Sequence, residues 1–168
     1  MLLITADIHG STEALKELVD IAESRRVERV LVAGDLCPRE DPVFASLLSR
    51  LPGLVLVRGN SDISRQYART HIHLPPLVRT LTYLGRPITL THGHVDVPYT
   101  VGGIVISGHT HIPHLEEDRK GTLWLNPGSP SRPRSSSGAT YALIDKAGVR
   151  IHRLGDHSPL LSHRFASS

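Results

Sequence analysis

Five short apolar runs of this sequence end in histidine, aspartate or asparagine. The run that begins at Ile104 ends in Gly108-His109-Thr110-His111, where the glycine lets the chain turn and two histidines follow at a spacing of two. The other four runs end in Asp7-Ile8-His9, Gly34-Asp35, Gly59-Asn60-Ser61-Asp62 and His92-Gly93-His94. Because ligands of open α/β sheets bind beyond the carboxyl ends of the strands, we expect these side chains to converge on one site.

The donor atoms at these run ends are carboxylate and amide oxygens and imidazole nitrogens. Seven residues supply them: Asp7, His9, Asp35, Asn60, His92, His109 and His111. The set contains no thiolate, so it suits Mn, Fe, Co, Ni or catalytic Zn better than a structural zinc site or a Ca or Mg site. These donors are too many for one ion and are the number expected for two metal ions roughly 3.5–4 Å apart. A purely structural role would bury unpaired carboxylates and imidazoles, which costs several kcal/mol.

Length and composition indicate one globular domain over residues 1–168, long enough for a sizeable core. Hydrophobic residues make up 39% and charged residues 21%, which excludes the disordered and fibrous classes. The formal net charge of +3 is modest, and acidic residues are spread along the chain, so we do not expect nucleic acid as a partner. The partner that this charge permits is a small phosphorylated molecule, and assembly into a homo-oligomer is left open.

Cys37 is the single cysteine, which excludes an internal disulfide and favours a reducing compartment. The first apolar run has no positively charged segment before it and is interrupted by Asp7, so we expect no secretion signal. No apolar run approaches transmembrane length. These features predict a cytoplasmic protein without membrane contact.

The first part of the chain alternates strands with helices, which indicates parallel βαβ units. Apolar residues at helical spacing predict a helix over residues 11–24, and Asp41-Pro42 predicts a second helix with Asp41 as its cap. Residues 80–91 are typical of a hairpin. Further strands are predicted at residues 122–125, 141–144 and 149–154, with a loop over 126–138. The tail from about residue 156 is expected to be frayed or weakly docked.

Taken together, these motifs resemble those of the calcineurin-like metallophosphoesterases. The matching residues are Asp7-x-His9, Gly34-Asp35, Gly59-Asn60-x-Asp62, His92-Gly93-His94, Gly108-His109-Thr110-His111 and Asn126-Pro127-Gly128-Ser129. The likeness covers nearly the whole chain and is strongest to the small single-domain branch that includes the YfcE-like phosphodiesterases and the retromer subunit Vps29. It implies an α/β (α+β) fold, a four-layer sandwich of two mixed β-sheets flanked by helices.

The resemblance also implies a dinuclear metal centre in which Asp35 bridges the two ions. By motif position, the first ion takes Asp7, His9, Asp35 and His111, and the second takes Asp35, Asn60, His92 and His109. We expect Mn, with Ni, Co, Fe or Zn as alternatives. In such a centre a hydroxide that bridges the ions attacks phosphorus in line, and no protein nucleophile is needed.

The implied activity is hydrolysis of phosphodiesters, with phosphomonoesters as the alternative substrate class. The resemblance to Vps29 supports a second hypothesis, a non-catalytic interaction scaffold on the same fold. The scaffold hypothesis predicts lost metal ligands, whereas every expected ligand is present in this sequence.

Two departures from the wider family affect the predicted site. Ser61 stands where larger relatives carry a histidine thought to help the leaving group. His94 is therefore our candidate for the general acid, with a packing role as the alternative, and Asp62 is a candidate for orienting a neighbouring group. Only residues 95–107 connect two motifs that relatives separate by a helix, which predicts a shallow cleft and broad substrate tolerance.

Arg132 and Arg134 lie in the loop that follows Asn126. Their charge could steer a phosphate, and an exposed basic loop is the alternative. The sequence alone does not choose between the two.

Overall fold

The computed structural model of the protein describes residues 1–68, 70 and 72–166, and these form three helices and eleven strands. The helices are α1 (Thr12–Ser24), α2 (Pro42–Ser49) and α3 (Ser64–Tyr67). The strands are β1 (Leu2–Thr5), β2 (Arg29–Val32), β3 (Val55–Leu56), β4 (Val78–Tyr83), β5 (Arg86–Thr91), β6 (Ile104–Ile106), β7 (Pro113–Glu117), β8 (Leu123–Pro127), β9 (Thr140–Asp145), β10 (Gly148–Arg153) and β11 (Pro159–Arg164).

The first two helices begin at side chains that cap them. Ser11 accepts a hydrogen bond from the Ala14 backbone N–H at 3.2 Å, which satisfies one free donor in the first turn of α1. Asp41 accepts one from the Val43 N–H at 2.9 Å, and Pro42 is the first residue of α2. The caps therefore confirm where the sequence predicts these helices to start.

Two mixed β-sheets form the body of the molecule, as expected. The first has the order β11-β10-β9-β1-β2-β3, in which β1, β2 and β3 are parallel and β9, β10 and β11 are antiparallel. The second has the order β4-β5-β6-β8-β7, in which β5, β6 and β8 are parallel. Parallel strands in each sheet place several carboxyl ends along a common edge, where polar side chains follow the strands.

The hydrophobic core has two layers. Helices α1 and α2 pack residues such as Leu18 and Phe44 on one face of the first sheet, against Leu3 and Leu143. The opposite face of that sheet packs on the second sheet through apolar side chains of β1, β5, β6 and β8. Among the described residues, no helix is long and apolar enough to span a bilayer.

Residues 92–103, which join β5 to β6, contain no helix. Tyr99 of this segment packs edge-on against Trp124 of β8, with ring centroids 5.1 Å apart. No helix covers the second sheet in this part of the chain, and helices α1 and α2 flank the first sheet.

The end of the chain is a strand rather than the frayed tail expected from residue 156. Strand β11 pairs antiparallel with β10, and Phe165 beyond it packs against the core between the sheets, with the Arg86 guanidinium 4.0 Å from its ring centroid. This pairing covers the edge of β10, which the composition of the tail did not indicate. Ser167 and Ser168 lie outside the described residues.

Candidate metal centre

The chain leaves five strands in backbone conformations that direct side chains toward one point. Five of the candidate ligands have a positive φ, which L-residues rarely adopt: Asp7 (55°), His9 (48°), Asp35 (51°), His109 (72°) and His111 (61°). Such conformations cost energy and persist only where the surroundings fix them. Their concentration at these residues indicates that the loops are shaped to present the side chains.

Asp7, His9 and His111 form the first group of donors. The Nε2 atoms of His9 and His111 are 3.2 Å apart. His111 Nε2 lies 3.4 Å from Asp7 Oδ1, and His9 Nε2 lies 3.9 Å from the same oxygen. Asp7 and His111 are buried, so these atoms face one another with little water between them.

Asn60, His92 and His109 form the second group. The side-chain oxygen of Asn60 lies 3.0 Å from His92 Nε2 and 2.9 Å from His109 Nδ1. His92 is buried, whereas Asn60 and His109 are exposed. The second group therefore lies at the solvent side of the site.

Asp35 lies between the two groups. Its Oδ2 is 3.7 Å from His9 Nε2, and its Oδ1 is 3.6 Å from His92 Nε2. The structure thus brings all seven candidate ligands together, with one buried carboxylate in reach of both groups.

The tautomers of two histidines leave lone pairs that point into the site. A backbone carbonyl can only accept, so His92 Nδ1 donates to Ala33 O at 2.8 Å and His111 Nδ1 donates to Arg132 O at 2.7 Å. In a neutral ring, each Nε2 then carries a lone pair that faces oxygen or nitrogen acceptors. Among the described residues, Asp7 Oδ1 is buried without a hydrogen-bond donor. Converging acceptors without donors are what a bound cation requires, so the residues fit metal ions.

The pKa shifts of the site also favour a bound cation. Burial, helped by the negative charge of Asp35, raises the pKa of Asp7 from its ordinary value of 3.8 to about 7. Burial lowers the pKa of His9, His92 and His111 below 6.5. A divalent cation offsets the cost of burying charged carboxylates. It also binds the neutral form of imidazole, which burial favours.

Asp62, which the sequence suggested for an orienting role, lies behind the ligands. Its carboxylate accepts hydrogen bonds from the backbone N–H groups of Asp35 (2.9 Å), Cys37 (2.8 Å) and Gly59 (2.8 Å) and from the Tyr67 hydroxyl (3.0 Å). Both of its oxygens are therefore occupied in holding two ligand loops together. Asp62 also forms a compact group with Asp35 and Cys37. Burial raises the pKa of the Cys37 thiol to about 12, so that group lacks a thiolate for a metal.

Ser61 has a role that sequence reasoning missed. Its backbone N–H donates to Asp35 Oδ1 at 2.8 Å, and its hydroxyl donates to Asp35 Oδ2 at 2.7 Å. The two bonds fix the plane of the carboxylate that lies between the donor groups. Its position after Asn60 was the available signal, but its partner is 26 residues away in the chain.

The loop after β8 supports the first group from behind. Ser129 donates its hydroxyl hydrogen to Asp7 O at 2.8 Å, and Asn126 donates to Gly108 O at 2.7 Å. The Asn126-Pro127-Gly128-Ser129 motif was recognised in the sequence, but these contacts give it a physical role. It holds the turns that carry Asp7 and His109.

His94 lies beside the second group and not within it. Its ring centroid is 5.2 Å from that of His92 and 6.3 Å from that of His109. Its Nδ1 is buried without a hydrogen-bond partner among the described residues, while the residue as a whole is half-buried. This position suits a group that approaches a substrate from the side.

The site opens to solvent. Asn60, Gly93, His109 and Thr110 are exposed around it, which agrees with the shallow cleft predicted from the short β5–β6 connection. The apolar cavity of about 520 Å³ beside α2, lined in part by Phe44, contains none of the seven candidate ligands.

Known proteins share both the sequence pattern and this fold. The family model described as the calcineurin-like phosphoesterase superfamily domain matches residues 1–148. The phosphodiesterase YfcE of Escherichia coli strain K12 is 27% identical, with 94% of each chain covered.

The solved structure of Escherichia coli YfcE, described as a phosphoesterase, matches with a TM-score of 0.84 and 23% identity over 97% of this chain and 98% of that chain. Wild-type Vps29 of Entamoeba histolytica, solved in complex with Zn²⁺, matches with a TM-score of 0.66 and 21% identity over 98% of this chain and 97% of that chain. The two structures confirm the fold, and because the family model covers most of the sequence, this chain belongs to the calcineurin-like phosphoesterase superfamily.

Proposed function

We propose that the protein is a phosphodiesterase that works with two divalent metal ions. The observation that carries the proposal is the position of Asp35, whose two carboxylate oxygens reach His9 on one side and His92 on the other. A single shared carboxylate between two groups of donors is the arrangement that a dinuclear centre needs.

We assign the ligands to the two ions by their motif positions. The first ion would be held by Asp7, His9, Asp35 and His111, and the second by Asp35, Asn60, His92 and His109. The mixture of nitrogen and oxygen donors supports Mn first, with Ni, Co, Fe and Zn as alternatives. Zinc is the metal in the Vps29 complex of Entamoeba histolytica.

When bound, two such ions lower the pKa of an attacking water and neutralise charge on the phosphoryl oxygens during in-line displacement. Residues of the chain itself supply positioning and proton transfer. Ser61 fixes the plane of the Asp35 carboxylate through its two hydrogen bonds. Asp62 holds the Asp35 and Gly59 turns at a fixed separation. His94, at the side of the second group, would protonate a leaving oxygen.

Two observations support a diester as the substrate, and a third supports a cytoplasmic location. The similar Escherichia coli protein is named a phosphodiesterase. The open site leaves space for a substituent on either side of the reacting phosphorus. The free thiol of Cys37 fits the reducing cytoplasm.

The test is hydrolysis of bis-p-nitrophenyl phosphate and p-nitrophenyl phosphate by metal-stripped protein, with Mn, Ni, Co, Zn or Mg added back. We expect diester cleavage that requires metal and that falls by at least 100-fold in Asp35→Asn, because that variant loses the shared negative charge. Cleavage of the monoester alone would change the assignment to a phosphatase.

His94 is tested in the same assay through the pH dependence of kcat. His94→Ala should lower kcat by about 10²- to 10⁴-fold and remove one limb of the pH–rate profile if His94 is the acid. An unchanged profile with unchanged turnover would assign His94 to packing.

The interaction scaffold remains the second candidate because the fold of Vps29 is shared. Two bound ions, measured by calorimetry, without turnover of either substrate with any metal would make the scaffold the leading hypothesis. The complete set of ligands favours the enzyme.

A further inference from the structure

The loop that follows β8 is fixed to the ligand turns, and it carries two arginines. Ser131 donates its hydroxyl hydrogen to Ile8 O at 2.9 Å, and the Arg132 backbone N–H donates to Ser129 Oγ at 2.9 Å. Pro130 and Pro133 flank this stretch and restrict its backbone further. The loop is therefore a defined part of the site wall and not a free surface segment.

Arg132 and Arg134 flank one ligand directly. The Arg132 carbonyl accepts the hydrogen bond from His111 Nδ1 at 2.7 Å, and the Arg134 N–H donates to His111 O at 3.2 Å. The residues that orient His111 are thus the same residues that carry the two guanidinium groups.

Both guanidinium groups are exposed, and no carboxylate of the described residues lies within ion-pair distance of either. Elsewhere, Arg50 pairs with Glu23 and Arg150 pairs with Asp145. Neither guanidinium beside His111 is therefore held in an ion pair with a described carboxylate.

The backbone contacts place both arginines at one end of the site. Arg132 and Arg134 each hydrogen-bond His111 through the backbone, and His111 belongs with Asp7 and His9 to the first group. The two cations therefore lie at the end of the site formed by the first group.

We propose that Arg132 and Arg134 form a subsite for a second phosphate of the substrate, beside the His9–His111 end of the centre. The proposal rests on the proposed function and narrows its substrate class to phosphodiesters in which one substituent carries a further phosphate. A guanidinium binds phosphate through two parallel hydrogen bonds, and two of them on a fixed loop discriminate between a phosphate and a neutral group.

The exposed position of the arginines places the bound group at the rim. The reacting phosphoryl group belongs among the converging donors around Asp35, whereas Arg132 and Arg134 extend from the loop above His111. The charged substituent of a substrate would therefore lie toward the arginines, at the His111 end of the site.

The experiment compares two chromogenic substrates that differ only in a remote phosphate: thymidine 5′-(p-nitrophenyl phosphate) with and without a 3′-phosphate. In the Mn-loaded protein we expect kcat/KM to be about tenfold or more higher for the 3′-phosphorylated substrate, mainly through KM. The ratio of kcat/KM for the 3′-phosphorylated substrate to kcat/KM for the other substrate should fall to near one in the double variant Arg132→Gln/Arg134→Gln. The control is Arg119→Gln, an exposed arginine in the turn between β7 and β8 at the far end of the second sheet, which should retain the wild-type ratio.

Calorimetry provides a readout that does not depend on turnover. With Mn present, thymidine 3′,5′-bisphosphate should bind about tenfold more tightly than thymidine 5′-phosphate, and the double variant should lose the difference. If the bisphosphate binds more tightly than the monophosphate but neither substrate is cleaved, the subsite is supported and the proposed phosphodiesterase activity is wrong. If both substrates are cleaved with equal kcat/KM, the activity is supported and the subsite is wrong. An equal loss on both substrates in the double variant would place the arginines on the reacting phosphate and would also overturn the subsite.

Discussion

At the scale of single residues, lone pairs converge in the site. Asp7 has a buried oxygen with no partner among the described residues, and His92 and His111 direct lone pairs into the site because backbone carbonyls occupy their opposite nitrogens. A protein stores this unfavourable arrangement only where a ligand relieves it. The metal-free chain should therefore lose stability at the same residues that give it function.

Asp7 offers the sharpest test of this cost. Its pKa rises from 3.8 to about 7, so the native metal-free state binds a proton that the unfolded state has released between these pH values. The free energy of unfolding should fall as pH rises from about 4 to 7. Asp7→Asn removes this dependence and should be more stable than wild type at pH 8 without metal, by on the order of 2–4 kcal/mol.

Urea denaturation of the wild type and of Asp7→Asn in EDTA measures this effect. The histidines contribute to the free energy of unfolding of both proteins, so their contribution cancels in the difference between the two values. Added Mn should reverse the order, because it stabilises the wild type and not the variant. Equal pH profiles for the two proteins would contradict the burial argument.

At the scale of elements, the strand ends are built around turns with no room for a larger residue. A Cβ on Gly59 would lie 2.0 Å from Asp35 Oδ1 and 2.5 Å from the Asp35 backbone nitrogen. The turn after β3 thus packs directly on the shared carboxylate, so the glycine belongs to the geometry of the site.

Gly59→Ala should displace Asp35, weaken Mn binding by at least tenfold and lower stability by about 1–3 kcal/mol. Gly155→Ala is the matched control, because a Cβ there meets nothing within 4 Å. Calorimetric titration with Mn compares the two variants. Wild-type affinity in Gly59→Ala would show that the turn moves without disturbing Asp35.

The elements that were predicted from sequence are those with a local signal. The caps at Ser11 and Asp41 and the apolar runs before Asp7 and Asp35 place their helices and strands, and parallel strands with polar ends predict the convergence of ligands. Strands β7 and β11 have short, largely exposed sequences, and they form because β8 and β10 offer edges to pair with. The contacts of Ser61 join residues far apart in the chain, so no spacing could reveal them.

At the scale of the whole molecule, the tail closes the sandwich at the edge opposite β3. Strand β11 covers β10, and Phe165 packs into the core between the sheets beneath the Arg86 guanidinium. The tail therefore joins the two sheets on the side away from the parallel strands β1, β2 and β3.

Phe165→Ala should lower the free energy of unfolding by about 1–3 kcal/mol, through lost apolar burial and the lost cation–π contact. The loss should leave Mn affinity unchanged, because β11 pairs with β10 at the edge of the first sheet away from β1, β2 and β3. Leu161→Ala is the control, since Leu161 is exposed on the same strand. Guanidinium denaturation gives the stabilities, and a value within 0.5 kcal/mol of wild type, about the scale of ordinary surface substitutions, would argue against the closing role.

The ligands come from both sheets, and this has a consequence beyond catalysis. Asp7, His9, Asp35 and Asn60 follow strands of the first sheet, whereas His92, His109 and His111 follow strands of the second. Each ion of the proposed centre is held from both sides, so it acts as a cross-link between the halves of the sandwich. Separating the sheets then requires breaking coordination bonds as well as exposing the core. A cell starved of the metal would lose the protein to proteolysis as well as its activity, and abundance would follow metal supply.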